Sequence, residues 1–561
     1  MAFLAPLIPI ILTAAGVGAT AASAIGAAFS IGLAFLVKKK PRQERSAQQL
    51  QVQLGETDRR ALLGRSWSAG DYVWGFNYDE EPNDRRWEAI LYKLADHEIN
   101  DLEGFTVDGV FYGFEGDGPQ SSFAYGGRDH LLIYALMGGT TNVVPSVITA
   151  NTTEWTANDK MTGCAGVWVL KRGNDSVWPG GRPQFKWFVG GAKVYDPRQD
   201  STVEGGSGTQ RESDPTTWAY SENQVVMSLA YRMGVYNYGG ATPQLMVGRG
   251  LTMAQALGET GTTLAAFMAA ASICDEAVAL KGGGSRPRYD GGLVIDSSEA
   301  YDDVLSRFAD SCAGLVVPRA GRLAVLPGSA QTPHDGFTLA DIPGGADGEP
   351  IEFSRFLPIT ERINTVVGKF PAETLYGNPG SVVKRVYADL VTDGAGGNPK
   401  PHETTLDLSA TVYNQTAQRI AEIARREGRL EWRGRITLGP RFANAEVGDW
   451  ISGTMPEFGS LALTWDDGDV LTWDDGDVMT WDDWNTVMFR IVEEERRINQ
   501  SKRVALREVS SDVYDWDETT DEEDDLTVTT TPTEAPFALM DWDGGDGLLW
   551  DDGDRIGWDG P

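Results

Sequence analysis

Apolar and polar residues change their spacing between residues 415 and 516. From Gln415 to Gly428 apolar side chains recur every three or four residues with arginines on the opposite face, which predicts an amphipathic helix ending near the glycine. From Leu430 to Leu438 apolar and charged residues alternate, as in a half-buried strand. Phe489–Glu495 and Lys502–Val509 flank a short polar turn and predict a hairpin. We therefore expect a helix packed on a small curled antiparallel sheet.

Upstream of this module the pattern is that of short strands interrupted by a few helices. Ala89–Ala95 predicts a buried strand, and Leu102–Phe111 alternates around Asp108-Gly109, a dipeptide typical of tight hairpins. Pro215–Gly234 and Thr263–Ala279 have the apolar spacing of helices. These stretches favour many short elements over a helical protein.

A compact βαββ unit is predicted between residues 290 and 326. Asp290–Asp296 has the pattern of a strand, Ala300–Ala313 that of a helix, and Gly314–Leu326 that of two strands around a glycine turn. The chain as a whole is thus expected to be α+β and mainly β. Its β-rich and barrel-like domains would be small and packed with helices, with an apolar helix at the N-terminus.

The first 37 residues carry no charged side chain, and three lysines follow them. About 20 apolar residues suffice to cross a bilayer, whereas a signal peptide has its positive charge ahead of a shorter apolar core. The stretch is rich in small residues, and four glycines would let helices approach closely: Gly16, Gly18, Gly26 and Gly32. Three interpretations stay open: a membrane anchor, a self-associating helix bundle inside an oligomer, or a bundle that is sheltered first and enters a membrane later.

Changes in periodicity, composition and charge divide the chain into seven segments. In chain order they are an apolar helix (1–40), a linker (41–58), a β-rich domain with inserted strands (59–200), a helical segment (201–285), a small βαββ domain (286–350), a barrel-like β domain with the helix 415–428 and an insertion at 463–484 (351–517), and an acidic tail (518–561).

Composition narrows the possible functions. The formal net charge of -33 argues against nucleic-acid binding through basic patches, and would let a polyanion slide past without adhering. Three cysteines without CxxC spacing favour neither a disulfide framework nor a zinc site, and Cys274 is expected to be a buried structural thiol. The four histidines are far apart in the sequence. We therefore expect no metal site and no cofactor.

Several segments are informative as an ordered set. They are RRWEAILYKLADHEINDLEGFTVDG, VYDPR followed by WAYSENQVVMSLAYRMGVYN, FMAAASICDE, GGLVIDSSEAYDDVLSRFADSCAGLVVPRAGRLAVLPG, ERINTVVGKF and the 415–516 module. In this co-linear order, which covers most of Arg59–Trp516, the chain resembles the central tail hub family of long-tailed, siphophage-like bacteriophages, of the tip attachment protein J type.

This resemblance implies a trimeric structural hub that lies at the distal end of the virion tail, closes the tail tube and opens for DNA delivery. It implies that the partners are its own copies, the distal tail protein ring, the tape measure protein, other tail tip or fibre proteins, and the host envelope during ejection. DNA would pass through the lumen without specific binding. The family brings no catalytic residues, so we expect no enzymatic activity, and we place the apolar N-terminal helices on the trimer axis.

A Trp/Asp octapeptide repeats between Leu463 and Trp484, as LTWDDGDV LTWDDGDV MTWDDW, and a similar pattern returns near the C-terminus. One interpretation is a stack of small turns that each bury a tryptophan. The other is a docking surface that stacks on sugars or fibre proteins, while the aspartates bind hydroxyls or Ca²⁺; the pattern is too short for an EF-hand loop. The candidate contact residues are Trp465, Trp473, Trp481, Trp484, Trp542, Trp550 and Trp558.

Two functions from other classes remain as alternatives. The first is a membrane-anchored surface adhesin that uses the Trp/Asp repeats to bind sugars. The second is an enzyme, which has the least support, because the many acidic residues do not fall into a recognisable catalytic pattern.

Overall fold

The computed structural model describes residues 58–523, apart from 80–86, 175, 179–182, 259–260, 320, 339–340, 343–351, 355–362, 364, 376, 386–402, 431, 455–485 and 497–500. These residues all belong to one compact unit of the chain, residues 52–561. The protein is mainly β, with several small sheets and a few helices, which confirms the α+β, mainly β class predicted from the sequence.

The strands are short and follow one another closely along the chain. The first fifteen are β1 Arg60–Ser68, β2 Asp71–Tyr78, β3 Trp87–Ala95, β4 Asp101–Val107, β5 Val110–Gly113, β6 Gly118–Pro119, β7 Ala124–Tyr125, β8 Arg128–Asp129, β9 Leu131–Leu136, β10 Ala165–Arg172, β11 Phe185–Gly190, β12 Lys193–Val194, β13 Ala219–Tyr220, β14 Val235–Asn237 and β15 Gln244–Val247. The others are β16 Ala277–Ala279, β17 Ser285–Pro287, β18 Gly292–Asp296, β19 Leu315–Arg319, β20 Arg322–Leu326, β21 Asp335–Phe337, β22 Glu352–Ser354, β23 Thr365–Pro371, β24 Pro379–Arg385, β25 Glu403–Asp407, β26 Arg433–Leu438, β27 Trp450–Gly453, β28 Val487–Arg496 and β29 Lys502–Glu508.

The α-helices of the described residues are fewer. They are α1 Ser146–Asn151, α2 Gln224–Met233, α3 Met253–Ala256, α4 Thr262–Cys274, α5 Tyr301–Asp310 and α6 Asn414–Glu427. None of these helices is long and apolar enough to cross a membrane.

Two five-stranded sheets in the first part of the chain share one core. Their strand orders are β18-β1-β11-β4-β5 and β2-β3-β10-β9-β6. Phe105 and Trp187 of the first sheet pack with Tyr92 and Val167 of the second in a single apolar cluster. The predicted strand Ala89–Ala95 is confirmed by β3, whose side chains are buried on both faces.

The predicted hairpin is confirmed by β4 and β5, which pair antiparallel. Asp108 and Gly109 form its turn with φ angles of 50° and 85°. Positive φ at both central positions matches the right-handed twist of the flanking strands, which is why Asp-Gly suits this turn.

The elements of the predicted βαββ unit all form, but they do not share a sheet. β19 and β20 make a separate hairpin, whereas β18 pairs antiparallel with β1, more than two hundred residues earlier. The pairing places Leu62 opposite Val294 and Gly64 opposite Gly292. An apolar strand can form its backbone hydrogen bonds with the edge of any suitable strand. The local pattern of apolar residues does not specify which strand that is. The division of the chain into seven domains stays a prediction.

Two predicted helices are shorter than their patterns suggest. The helix expected at Pro215–Gly234 begins at Gln224, because a single 3₁₀ turn and the strand β13 come first and Asn223 caps the helix. The helix expected at Thr263–Ala279 ends at Cys274, and β16 then pairs with β17. Cys274 is fully buried, as predicted.

The last part of the chain has a six-stranded sheet in the order β21-β27-β28-β29-β26-β22. The predicted hairpin is confirmed by β28 and β29, and the predicted helix by α6, which ends at the Gly428 C-cap. The expected packing of that helix on the strands that follow it is wrong. Its apolar face, which includes Ile420 and Ile423, packs mainly on the three-stranded sheet β24-β23-β25, against Val366 and Val382.

Candidate functional site

A polar cleft of about 450 Å³ opens where five parts of the chain meet. They are β1, the turn before α2, the end of α4, the β17 region and the residues that lead into α6. The cleft is lined by Arg65, Tyr220, Ser221, Glu222, Asn223, Asp275, Ser285, Arg286, Pro287, Asp290 and Tyr413. Most of these side chains carry a charge or a hydroxyl, and hydrogen bonds and ion pairs connect the five parts here.

Glu222 is the centre of one half of the cleft. Tyr413 donates its hydroxyl to Glu222 Oε2 at 2.6 Å, and Tyr220 donates to Oε1 at 3.2 Å. Arg65 Nε lies 2.9 Å from Glu103 Oε1 and 3.5 Å from Glu222 Oε1. The carboxylates of Glu103 and Glu222 therefore share the guanidinium of Arg65. Through Arg65, Glu222 and Tyr413, strand β1 is connected to the residues that precede α2 and α6.

Burial has the largest effect on the ionisation of this group. It raises the pKa of Glu222, although Tyr413 and Arg65 work in the opposite direction. It also raises the pKa of Tyr413, and the negative charge of Glu222 adds to that effect. For Arg65, burial acts to lower the pKa, but Tyr413, Glu222 and Glu103 outweigh it and raise the pKa. The tyrosine hydroxyl and the guanidinium thus keep their protons.

Asp290 is the centre of the other half. Arg286 Nε donates to Asp290 Oδ2 at 2.7 Å, and Thr416 Oγ1 donates to Oδ1 at 2.8 Å. The guanidinium of Arg286 also lies 3.3 Å from the ring centroid of Tyr413, so the two halves of the cleft touch. Burial raises the pKa of Asp290 while Arg286 opposes the shift.

Asn223 connects the cleft to the helical core. Its side-chain oxygen accepts from the backbone amides of Val225 and Val226, which caps α2. Its side-chain nitrogen donates to the carbonyl of Ala271 at 2.7 Å and to Asp275 Oδ1 at 2.8 Å. One amide group therefore fixes the start of α2 against the end of α4.

The carboxyls of the cleft hydrogen-bond to side chains from several parts of the chain. Both oxygens of Glu222 accept from tyrosine hydroxyls, and both oxygens of Asp290 accept from Arg286 and Thr416. Each of these four oxygens thus has at least one partner within the chain. The network links positions that are remote in sequence and holds their relative orientation.

The site residues predicted from the sequence lie outside the described residues. This applies to the glycines Gly16, Gly18, Gly26 and Gly32, and to the tryptophans Trp465, Trp473, Trp481, Trp484, Trp542, Trp550 and Trp558. Their roles in helix packing and partner contact stay predictions.

Sequence reasoning missed the cleft because its members are scattered along the chain. One local signal was present: Asn223 directly precedes an apolar run with helical spacing, which is a typical N-cap pattern. Arg65, Glu222, Asp290 and Tyr413 belong to no local motif. Only the tertiary fold brings them together.

Comparison with solved structures gives matches of low sequence identity and low TM-score. A chain of the "Virion of native gene transfer agent (GTA) particle" has a TM-score of 0.48 and 17% identity, over 84% of this chain and 88% of the other. The tail protein from Neisseria meningitidis MC58 has a TM-score of 0.25 and 10% identity, over 82% and 99%. Prophage tail protein gp18 from Listeria monocytogenes EGD-e has a TM-score of 0.20 and 8% identity, over 80% and 94%. No protein-family model and no curated protein matches the chain.

Proposed function

We propose that this protein is a structural component of the tail of a long-tailed phage or phage-like particle. More specifically, we propose that three copies form the hub at the distal end of the tail, which closes the tail tube and opens for DNA delivery. The proposal rests on the co-linear resemblance between Arg59 and Trp516 described from the sequence.

One structural observation supports a common origin for several of the resembling segments: they pack into the same core. The helices α2, α4 and α5 and the strand β23 each contain part of a segment that carries the resemblance, and α6 begins the 415–516 module. All five contribute to one apolar cluster, with residues such as Val226, Phe267, Phe308, Val366 and Ile420. Segments that form one core are expected to be retained together in a family, because each depends on the others for burial.

The cleft and the charge suit a wall around a channel. The Glu222 and Asp290 networks add polar contacts to the apolar cluster that joins these strands and helices. The net charge of -33 would keep DNA from adhering to such a wall. We assign no catalytic step and no cofactor to the protein.

The partners follow from the proposed position. The hub would bind its own copies in a trimer, a distal tail protein ring, the tape measure protein and other tail tip or fibre proteins. It would meet the host envelope during ejection. The apolar residues 1–40 would lie on the three-fold axis, where small side chains allow close helix packing.

Electron microscopy of purified particles that carry a labelled version of this chain would test the proposal. We expect the label at the tail tip in three copies per particle. A label elsewhere on the particle, or its absence from particles, would contradict the hub assignment. For the protein made alone, we expect trimers; recovery as a monomer in the membrane fraction would favour the adhesin.

Removal of residues 1–40 tests the axial role of the apolar segment separately. We expect particles to assemble with the hub in place but to eject DNA poorly. Normal ejection by such particles would show that the segment has no part in delivery, and would leave the hub assignment unaffected.

A further inference from the structure

After β29 the chain crosses α6, and it does so in two steps. Residues Ser511–Tyr514 form a 3₁₀ turn whose Val513 and Tyr514 side chains are buried. Trp516 then lies against the guanidinium of Arg419, which is 5.3 Å from its ring centroid. This first step buries apolar side chains, and a few polar contacts accompany them: the Tyr514 hydroxyl donates to Glu427, and Arg426 donates to the carbonyls of Asp512 and Asp515. The next seven residues, Asp517–Glu523, make a polar contact that we name the acidic clasp.

On the α6 side, the clasp is held at its end by a two-way hydrogen bond. Gln418 Nε2 donates to the carbonyl of Glu523, and the Glu523 amide donates to Gln418 Oε1, each at 2.8 Å. Asp521 accepts from Arg426 Nη2 at 3.0 Å, and its carbonyl accepts from Lys384 Nζ at 2.7 Å. The clasp therefore joins the helix to the sheet on which the helix packs.

On the other side, the clasp reaches the hairpin of β16 and β17. The carboxylate of Glu522, which is only 9% exposed, accepts from the backbone amide of Lys281 at 3.1 Å. Lys281 Nζ donates in turn to the carbonyl of Glu522 at 3.4 Å. A buried carboxylate bound by a backbone amide is a specific contact, because leaving either group unpaired would be costly.

The groove under the clasp is basic in an otherwise acidic protein. It presents Lys281, Lys384, Arg419 and Arg426, and two of these are nearly inaccessible: Lys384 is 5% exposed and Arg419 is 1% exposed. Burial lowers the pKa of Arg419 to about 10, and Glu522 is among the groups that oppose this shift. The clasp supplies carboxylates to two of these cations: Asp521 Oδ2 lies 3.0 Å from Arg426 Nη2, and Glu523 Oε1 lies 3.5 Å from Lys384 Nζ.

We propose that this groove is a docking site for an acidic peptide, filled by the chain's own clasp, and that the clasp is releasable. Past Trp516 the contacts are ion pairs and hydrogen bonds, and Glu523 opposite Lys384 is 60% exposed. Exposed ionic contacts such as that of Glu523 weaken as salt screens them, whereas the burial of Val513 and Tyr514 does not depend on such screening.

Release would change the reach of the acidic C-terminal segment. Residues 524–561 follow the clasp directly and carry the second Trp/Asp repeat, with Trp542, Trp550 and Trp558. With the clasp bound, the segment departs from Glu523; with the clasp released, it departs from Trp516. The seven residues between them would add at most about 25 Å of extended chain. The groove would therefore set how far the repeat extends from the body.

Hydrogen exchange of the full-length chain in low and high salt tests this inference. In low salt we expect peptides that cover 517–523 to be protected. In about 1 M NaCl their exchange should rise about tenfold, as expected when charge-assisted hydrogen bonds are lost, while peptides covering 511–516 stay protected. Exchange at 517–523 that does not respond to salt would overturn the proposal.

A pair of matched variants separates the clasp contact from the negative charge of the segment. Glu522→Ala removes the oxygen that accepts from the Lys281 amide, so it should lose protection at 517–523 already in low salt. Glu518→Ala removes the same charge from the same segment but should leave protection unchanged, because Glu518 makes no ion pair or hydrogen bond among the described residues. Equal behaviour of the two variants would contradict the proposal. Peptides from β1 and β11 monitor folding, and if Glu522→Ala disturbed them, Asp521→Ala would replace it in the same comparison, because it removes the carboxylate that accepts from Arg426.

Discussion

The hydroxyl of Tyr413 donates a 2.6 Å hydrogen bond to Glu222 Oε2 and so joins two positions 191 residues apart. Glu222 lies directly before the cap of α2, and Tyr413 lies directly before α6. The bond therefore fixes the entrances of two helices that belong to distant parts of the sequence. Its loss should weaken the body of the protein without removing any apolar contact.

We expect Tyr413→Phe to destabilise the protein by about 1–3 kcal/mol, the usual cost of leaving a buried hydrogen-bonding group without its partner. The phenyl ring keeps its contact with the Arg286 guanidinium, so the change isolates the hydroxyl. Chemical denaturation would measure the shift. Tyr125→Phe is the matched control, because Tyr125 is 54% exposed. Equal midpoints for the two variants would show that the bond contributes nothing.

The secondary structure of single elements could be predicted from the sequence, whereas the residues that line the cleft could not. Helix α6 and the β4–β5 hairpin are encoded by side-chain spacing and by Asp108-Gly109, which act within a few residues. Strand β18 pairs with β1, and Tyr413 hydrogen-bonds to Glu222. Both contacts depend on how segments that are far apart in the sequence pack against each other. A helical period likewise identifies the apolar face of α6 but not the sheet that covers it.

Protonation of His97 should destabilise the first sheet. The Leu62 amide of β1 donates to His97 Nε2 at 2.8 Å, and Nδ1 lies 2.7 Å from the Glu98 carbonyl. Burial lowers the pKa of His97 below its ordinary value of 6.5. The folded protein therefore favours the neutral ring. This contribution to stability is present above the unfolded pKa and is lost as pH falls from about 6.5 through the lower folded pKa.

Thermal unfolding between about pH 7 and about pH 5 would measure this effect. We expect His97→Gln to unfold at a midpoint that changes less with pH than that of the unmodified protein, since an amide oxygen can still accept from Leu62. His334→Gln, at an exposed position, should leave the pH profile as it is. The prediction fails if the two variants give the same profile.

Three arginines form a row across the six-stranded sheet. Arg507 of β29 lies directly opposite Arg490 of β28 on one side and opposite Arg433 of β26 on the other. Burial lowers the pKa of Arg507, and Arg490 and Arg433 lower it further, while Glu427 opposes them. Like charges directly opposite each other on neighbouring strands are unfavourable.

We therefore expect Arg507→Met to raise the unfolding free energy by up to about 1 kcal/mol, which is the range of cross-strand pair effects. Arg490→Met should act in the opposite direction, because Arg490 Nη1 lies 3.3 Å from Glu427 Oε1 and its loss leaves that carboxylate without this ion pair. Denaturant titration of both variants provides the comparison. If both substitutions destabilised the protein, the net interaction among the three arginines would not be repulsive.

Gly64 lies where β1 passes close to Gly291, the residue that precedes β18. Its φ of 61° is in the left-handed region, and a Cβ there would lie 2.1 Å from the carbonyl oxygen of Gly291. Gly109 also has a positive φ, 85°, but a Cβ there would meet nothing within 4 Å. Both Gly→Ala changes carry the conformational penalty of about 1–2 kcal/mol, but only Gly64→Ala also forces two backbones apart.

We expect Gly64→Ala to destabilise the protein well beyond Gly109→Ala and to increase hydrogen exchange along β1 and β18 selectively. The reason is that β18 hydrogen-bonds to β1 from Gly64↔Gly292 to Arg60↔Asp296, and displacement at one end disturbs the register of the whole pair. Exchange in the β4–β5 hairpin should stay unchanged in the Gly64 variant. If the two alanine variants were equally stable, the close approach of these strands would not contribute to holding residues 60–68 and 292–296 together.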